Sequence, residues 1–131
     1  YYGAISDYTK AIEIDPKDAS AYYNRGYAKD ELKDYYGAIS DYTKAIEIDP
    51  KDAGAYYNRG YAKDELKDYY GAISDYTKAI EIDPKDADVY KNMSISKENI
   101  GDISGACKDA KKAVSLGDED SENKNWIKDN C

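Results

Sequence analysis

The chain has 131 residues, a net charge of -8 at neutral pH and a pI near 4.6, with no histidine and 16 tyrosines. That length bounds the answer to one domain, and the carboxylate surplus argues against nucleic acid, whose phosphates are bound by surplus Lys and Arg that displace counterions. Neutral or basic partners are favoured, no apolar run reaches the length of a membrane span, and Tyr, Ala and Ile at regular spacing supply the apolar face that a disordered chain of this polarity lacks.

From Tyr1 to Ile14 the residues Ala4, Ile5, Tyr8, Ala11 and Ile12 recur at spacings of three and four, which predicts a helix with one packing side. Asp15-Pro16 stops it, since proline disfavours helical backbone in the residue before it and has no N–H to donate. Asp18 is placed to cap a second amphipathic helix from Ala19 to about Lys33, through Ala21, Tyr22, Ala28 and Leu32, with Gly26 allowing close approach of a neighbour. Asp34 then caps the next helix, and the short connections force the two into an antiparallel hairpin.

The cycle restarts at Tyr35. Residues Tyr35 to Asp68 repeat Tyr1 to Asp34 with one change, Ser20 to Gly54, and a third copy begun at Tyr69 matches through Ala87 before drifting. A fixed period of 34 residues marks a supersecondary unit stacked on copies of itself, each burying a face that it could not bury alone. The repeat opens in mid-unit and without an initiator Met, so the sequence reads as a piece of a longer protein, and its compartment stays open.

Taken from Ala19, the unit resembles the tetratricopeptide repeat at Tyr22, Gly26, Ala28, Leu32, Tyr35, Ala38, Tyr42, Ala45 and Pro50. The next unit supplies Tyr56, Gly60, Ala62, Leu66, Tyr69, Ala72, Tyr76, Ala79 and Pro84 at the same places. The resemblance implies an all-α fold: a right-handed α-solenoid (superhelix) of stacked antiparallel helix pairs. Residues 1–18 form a half repeat, the second helix only; 19–52 and 53–86 are complete repeats; 87–117 is a degenerate one, and 118–131 a C-terminal capping helix. The degenerate unit keeps Tyr90, Ala106 and Ala113 but has Ser94 in place of glycine, and the cap carries Trp126 and Ile127.

The resemblance also implies a concave groove lined by the first helix of each unit, which binds a protein or peptide segment. Its residues would be Ser20, Tyr23, Asn24, Tyr27, Asp30 and Glu31 in one unit, with Gly54, Tyr57, Asn58, Tyr61, Asp64 and Glu65 in the next. From the residues alone, Tyr23, Tyr27, Asp30 and Asp34 share a face apart from the Ala and Leu stripe. Tyrosine offers a stiff contact surface with a hydroxyl handle, Asn24, Asn58 and Asn92 could bond a ligand backbone, and the acids favour Lys or Arg in an extended ligand. The competing reading is plain duplication, in which Tyr fills space and the acids solvate a helix. Some relatives grip a chaperone C-terminal carboxylate with Lys, Asn and Arg in this groove; here only the Asn element and Lys91 stand at such places, so that ligand is not expected. Arg25 and Arg59 are read as ion-pairing residues.

Without histidine, His-based triads and imidazole acid–base chemistry are excluded, and no glycine-rich phosphate loop appears. No enzyme activity, cofactor or metal is expected. The run Asp118 to Glu122 is a poor calcium loop, with Asn123 where the turn glycine belongs and Asp129 where the bidentate Glu belongs. Asn92-Met93-Ser94 spells a glycosylation sequon inside a predicted helix. Cys107 takes the place of Ile5, Ile39 and Ile73, facing the cap that Cys131 ends; a disulfide tying the cap down and a pair of free thiols are both open. Finally, Tyr1 to Ile14 presents Ala4, Tyr8 and Ala11 toward a first helix outside the sequence, an apolar end suited to two-fold self-association as a homodimer.

Overall fold

Aspartate starts the helices. Asp18, Asp34, Asp52, Asp68, Asp86, Asp102 and Asp120 each stand at an N-cap and accept a hydrogen bond from a first-turn backbone N–H, so much of the acidity serves helix ends. Proline and a left-handed residue stop them in alternation. Asp15, Asp49 and Asp83, each before a proline, turn to extended backbone and accept from the N–H two residues on. At the other ends Lys33 and Lys67 (φ 62°) and Gly101 (φ 84°) are left-handed. The Asp34 N–H then reaches back to the Lys29 carbonyl at 2.9 Å, closing a Schellman-type end. That turn ends the second helix at Glu31, two residues short of the predicted Lys33.

The computed structural model describes all residues, 1–131, as eight helices without strands. They are α1 (Tyr2–Ile14), α2 (Ala19–Glu31), α3 (Tyr35–Ile48), α4 (Ala53–Glu65), α5 (Tyr69–Ile82), α6 (Ala87–Asn99), α7 (Ile103–Ser115) and α8 (Ser121–Asn130). Each helix packs on its chain neighbours, and α2 also meets α4 as α4 meets α6. The result is a two-layer α-solenoid, with α2, α4 and α6 side by side in one layer and α1, α3, α5 and α7 in the other. No helix is long and apolar enough to cross a membrane.

Tyrosine and alanine make the core. Tyr42 and Tyr76 are fully buried beside Ala38, Ala72 and Ala62, and each ring fills the space left by a glycine: a Cβ on Gly26 would stand 3.0 Å from Tyr42, and one on Gly60 2.8 Å from Tyr76. The third unit inverts this pairing. Ala110 stands where the tyrosine was and Ser94 where the glycine was, with Ser94 Oγ donating to the Ala106 carbonyl at 2.8 Å. Helix α8 lies on α7, the Trp126 indole N–H donates to Glu98, and Cys107 and Cys131 are joined as a disulfide with Cα atoms 5.8 Å apart.

Candidate functional site

The layer of α2, α4 and α6 brings the expected groove residues onto one face and divides them into two sets. Tyr23, Asn58, Tyr57 and Asn92 are joined in two pairs: Asn58 donates to the Tyr23 hydroxyl at 2.7 Å and Asn92 to the Tyr57 hydroxyl at 2.5 Å. These rungs stitch each first helix to the next. The Tyr23 ring packs 5.7 Å from Tyr42 and the Tyr57 ring 5.8 Å from Tyr76, and burial pushes the Tyr57 hydroxyl up to about 12. One amide N–H of each asparagine is therefore committed within the protein. Asn24 is exposed and makes no such rung.

The second set faces outward. Tyr27 and Tyr61 are 49% and 43% exposed, and Glu31 and Glu65 stand beside them, accepting weakly from Tyr1 and Tyr35 at 3.4 Å. Lys91, the cation expected in this groove, is tied to Asp120 at the start of α8 at 3.0 Å; that hydrogen bond holds the ammonium above its usual range and the carboxylate below its own.

Asp30 and Asp64 occupy equivalent places and differ in one partner. Asp64 accepts from the Tyr76 hydroxyl at 2.7 Å, and Ser96 Oγ lies 2.7 and 2.8 Å from its two oxygens. Asp30 has only a long contact of 3.5 Å from Tyr42, and its buried Oδ1 meets no donor. The cause is one residue, because the position equivalent to Ser96 beside Asp30 is Ala62. Burial, then the Glu31 charge, and more weakly Glu65, push the Asp30 carboxyl up to about 6. Burial also raises Asp64, against its two hydrogen bonds.

This asymmetry has a pH signature. Asp30 binds its proton near pH 6 when folded and near 3.8 in its ordinary state, so the folded chain holds more protons in that window and stability falls as pH rises through it. Ala62→Ser is expected to supply the missing donor and stabilise the protein by about 1 kcal/mol above pH 6, with a smaller gain near pH 4, where Asp30 is protonated. Urea midpoints of both proteins at the two pH values check this; an equal gain at each would mean that the serine does not serve the carboxylate.

The ion pairing expected of Arg25 and Arg59 is present, and the partners, which the sequence left unnamed, are Asp41 and Asp75, each 3% exposed. Arg25 grips Asp41 through Nε and Nη2 at 2.8 and 2.7 Å, Lys29 adds a contact at 3.1 Å, and Arg59 and Lys63 hold Asp75 in the same way. The available signal was the pair Arg25 and Lys29, one helical turn apart and facing α3. At the N-terminal end, Ala4, Tyr8 and Ala11 are only half-buried, whereas their equivalents Ala38, Tyr42 and Ala45 are buried.

A two-layer stack of antiparallel helix pairs, with a ladder of polar rungs along one layer, defines a helical repeat scaffold. The tetratricopeptide repeat model matches residues 19–52 and 53–86, and a further TPR repeat model matches residues 1–30. The chain belongs to the tetratricopeptide repeat family, whose domains are protein-interaction scaffolds. Among solved structures it is similar to MamA, with a TM-score of 0.91 at 23% identity, over 94% of this chain and 72% of that one. It is similar to the first TPR of Spaghetti (RPAP3) bound to an HSP90 peptide, with a TM-score of 0.81 at 23% identity, over 88% and 91% of the two chains. The Arabidopsis OM64 TPR domain gives a TM-score of 0.81 at 28% identity, over 85% and 92%. A comparison with curated protein sequences returned no match.

Proposed function

We propose that the chain holds an extended protein segment along the face of α2, α4 and α6, and that the segment places a Lys or Arg against Asp30. The observation that carries this reading is the carboxylate cluster of half-buried Asp30 with exposed Glu31 and Glu65, whose charges reach one another, flanked by the half-exposed rings of Tyr27 and Tyr61. A cationic side chain at the surface lowers the repulsion within this cluster, and the two rings offer stiff apolar contact to the rest of the segment. Asn24, Asn58 and Asn92 keep amide oxygens for the ligand backbone.

The acidic peptide of the RPAP3 structure is not the ligand this face favours. Asp30, Glu31, Asp64 and Glu65 repel it, and Lys91 is occupied by Asp120. The test is fluorescence polarisation with a labelled peptide of alternating Lys, Ala, Arg and Leu, and with its counterpart in which Gln replaces the cations. Tyr27→Ala with Tyr61→Ala is expected to weaken the basic peptide at least about tenfold with helical circular dichroism unchanged. Asp30→Asn should erase most of the preference for the basic peptide over the neutral one. Unaltered binding by both variants would remove this face from the function.

A further inference from the structure

The opposite side of the stack carries a second groove whose character changes in the third unit. In the first two units an arginine from the inner layer fills the groove between successive outer helices. Arg25 reaches Thr9 on α1 and Asp41 on α3, and Arg59 reaches Thr43 on α3 and Asp75 on α5. The cavities that remain there measure about 380 and 360 Å³. The third unit has Met93 in place of the arginine, in contact with Thr77, while Asp109 keeps only Lys97 at 2.6 Å. The groove between α5 and α7 opens to about 720 Å³ over a floor that includes Ile80, Tyr90 and Met93.

Its wall shifts from balanced charge to a surplus of lysine as well, with Glu81 and Asp109 the acids that also line it. Lys108 stands where the earlier units have Ser40 and Ser74, and Lys111 where they have Thr43 and Thr77. Lys112 keeps the lysine of Lys44 and Lys78, but their partners Glu47 and Glu81, at 3.6 and 3.4 Å, are replaced in this unit by Ser115. Lys108, Lys111 and Lys112 are exposed, line the groove and form no ion pair. In a chain of net charge -8, this concentrates unpaired positive charge around an apolar floor.

We propose that this outer groove of the third unit docks an acidic peptide segment bearing a large apolar side chain. Carboxylates of the segment pair with Lys108, Lys111 and Lys112, and the apolar side chain enters the space that the arginine fills in the other units. A peptide fits better than a nucleic acid, because a long polyanion meets the repulsion of the remaining acidic surface and has no use for the apolar floor. The two faces then select ligands of opposite charge, and the outer site is independent of the inner one.

The internal copies provide the test. Lys108→Ser with Lys111→Thr and Ser115→Glu restores the wall residues of the earlier units, and Met93→Arg restores their filling residue. The probe is a fluorescein-labelled peptide with Leu-Phe flanked by Glu and Asp on either side, followed by polarisation and by amide NMR shifts of α7. Binding is expected to fall about tenfold in the wall variant and with the Gln/Asn form of the peptide, to fall in Met93→Arg, and to persist in Tyr27→Ala/Tyr61→Ala. Absence of binding to the wild type, retention in the wall variant, loss in the tyrosine variant, or tighter binding of oligothymidylate than of the peptide would each overturn the proposal.

Discussion

Tyr76→Ala should destabilise the protein by about 4 kcal/mol, and adding Gly60→Ser should return about 1 kcal/mol or more of that loss. Tyr76 is fully buried, and its hydroxyl donates to Asp64. Truncation leaves a cavity the size of a ring between α4 and α5, although Asp64 keeps Ser96 as a donor. Gly60→Ser alone should cost about 1–3 kcal/mol, since a Cβ there meets Tyr76 at 2.8 Å and the Ala72 carbonyl at 3.2 Å. Once the ring is gone, the serine faces the space that Ser94 faces beside Ala110, and its hydroxyl can reach the Ala72 carbonyl as Ser94 reaches that of Ala106. The two single losses therefore sum to more than the loss in the double variant. Urea unfolding of the four proteins measures the coupling, and hydrogen exchange in α4 and α5 locates it. Additive losses would show that glycine and tyrosine are not a matched pair.

The same matched positions show what could be read from the sequence. Period, helix order and the stops at Pro16, Pro50 and Pro84 were legible because each is local: a helix end needs only its own few residues. The buried aspartates were legible only as the unnamed partners of Arg25 and Arg59. Asp41 stands next to Tyr42 but outside the apolar series Ala38, Tyr42 and Ala45, and a carboxylate at such a place looks solvated until α2 brings Arg25 and Lys29 against it. The rungs from Asn58 to Tyr23 and from Asn92 to Tyr57 join residues 35 apart, a separation set by how one unit stacks on the next, and helical periodicity carries no record of it. The groove tyrosines share a face as the spacing predicts, yet only the layer decides that Tyr23 and Tyr57 are held by neighbours while Tyr27 and Tyr61 stay open to solvent. Near-identity of the copies also hid their differences: Asp30 and Asp64 look alike until Ala62 and Ser96 are set beside them.

Arg59→Met is expected to destabilise the junction of α4 and α5 by about 3 kcal/mol. The arginine makes two bonds to Asp75, at 2.9 and 2.7 Å, a third to Thr43 at 3.2 Å, and lies 5.6 Å from the Tyr56 ring centroid. Without it a carboxylate that is 3% exposed keeps only Lys63, at 3.0 Å, the arrangement that Asp109 and Lys97 already have beside Met93. A surviving cation places the cost at the low end of the range for breaking a buried pair. Arg59→Met with Asp75→Ala removes the stranded charge and should therefore be more stable than Arg59→Met alone. Urea is the denaturant of choice, because guanidinium would screen the charges being compared. A loss below about 1 kcal/mol in Arg59→Met would mean that Lys63 satisfies Asp75 by itself. The arginine would then act chiefly by filling the outer groove, and its replacement by Met93 in the third unit would open a binding surface at little cost to the fold.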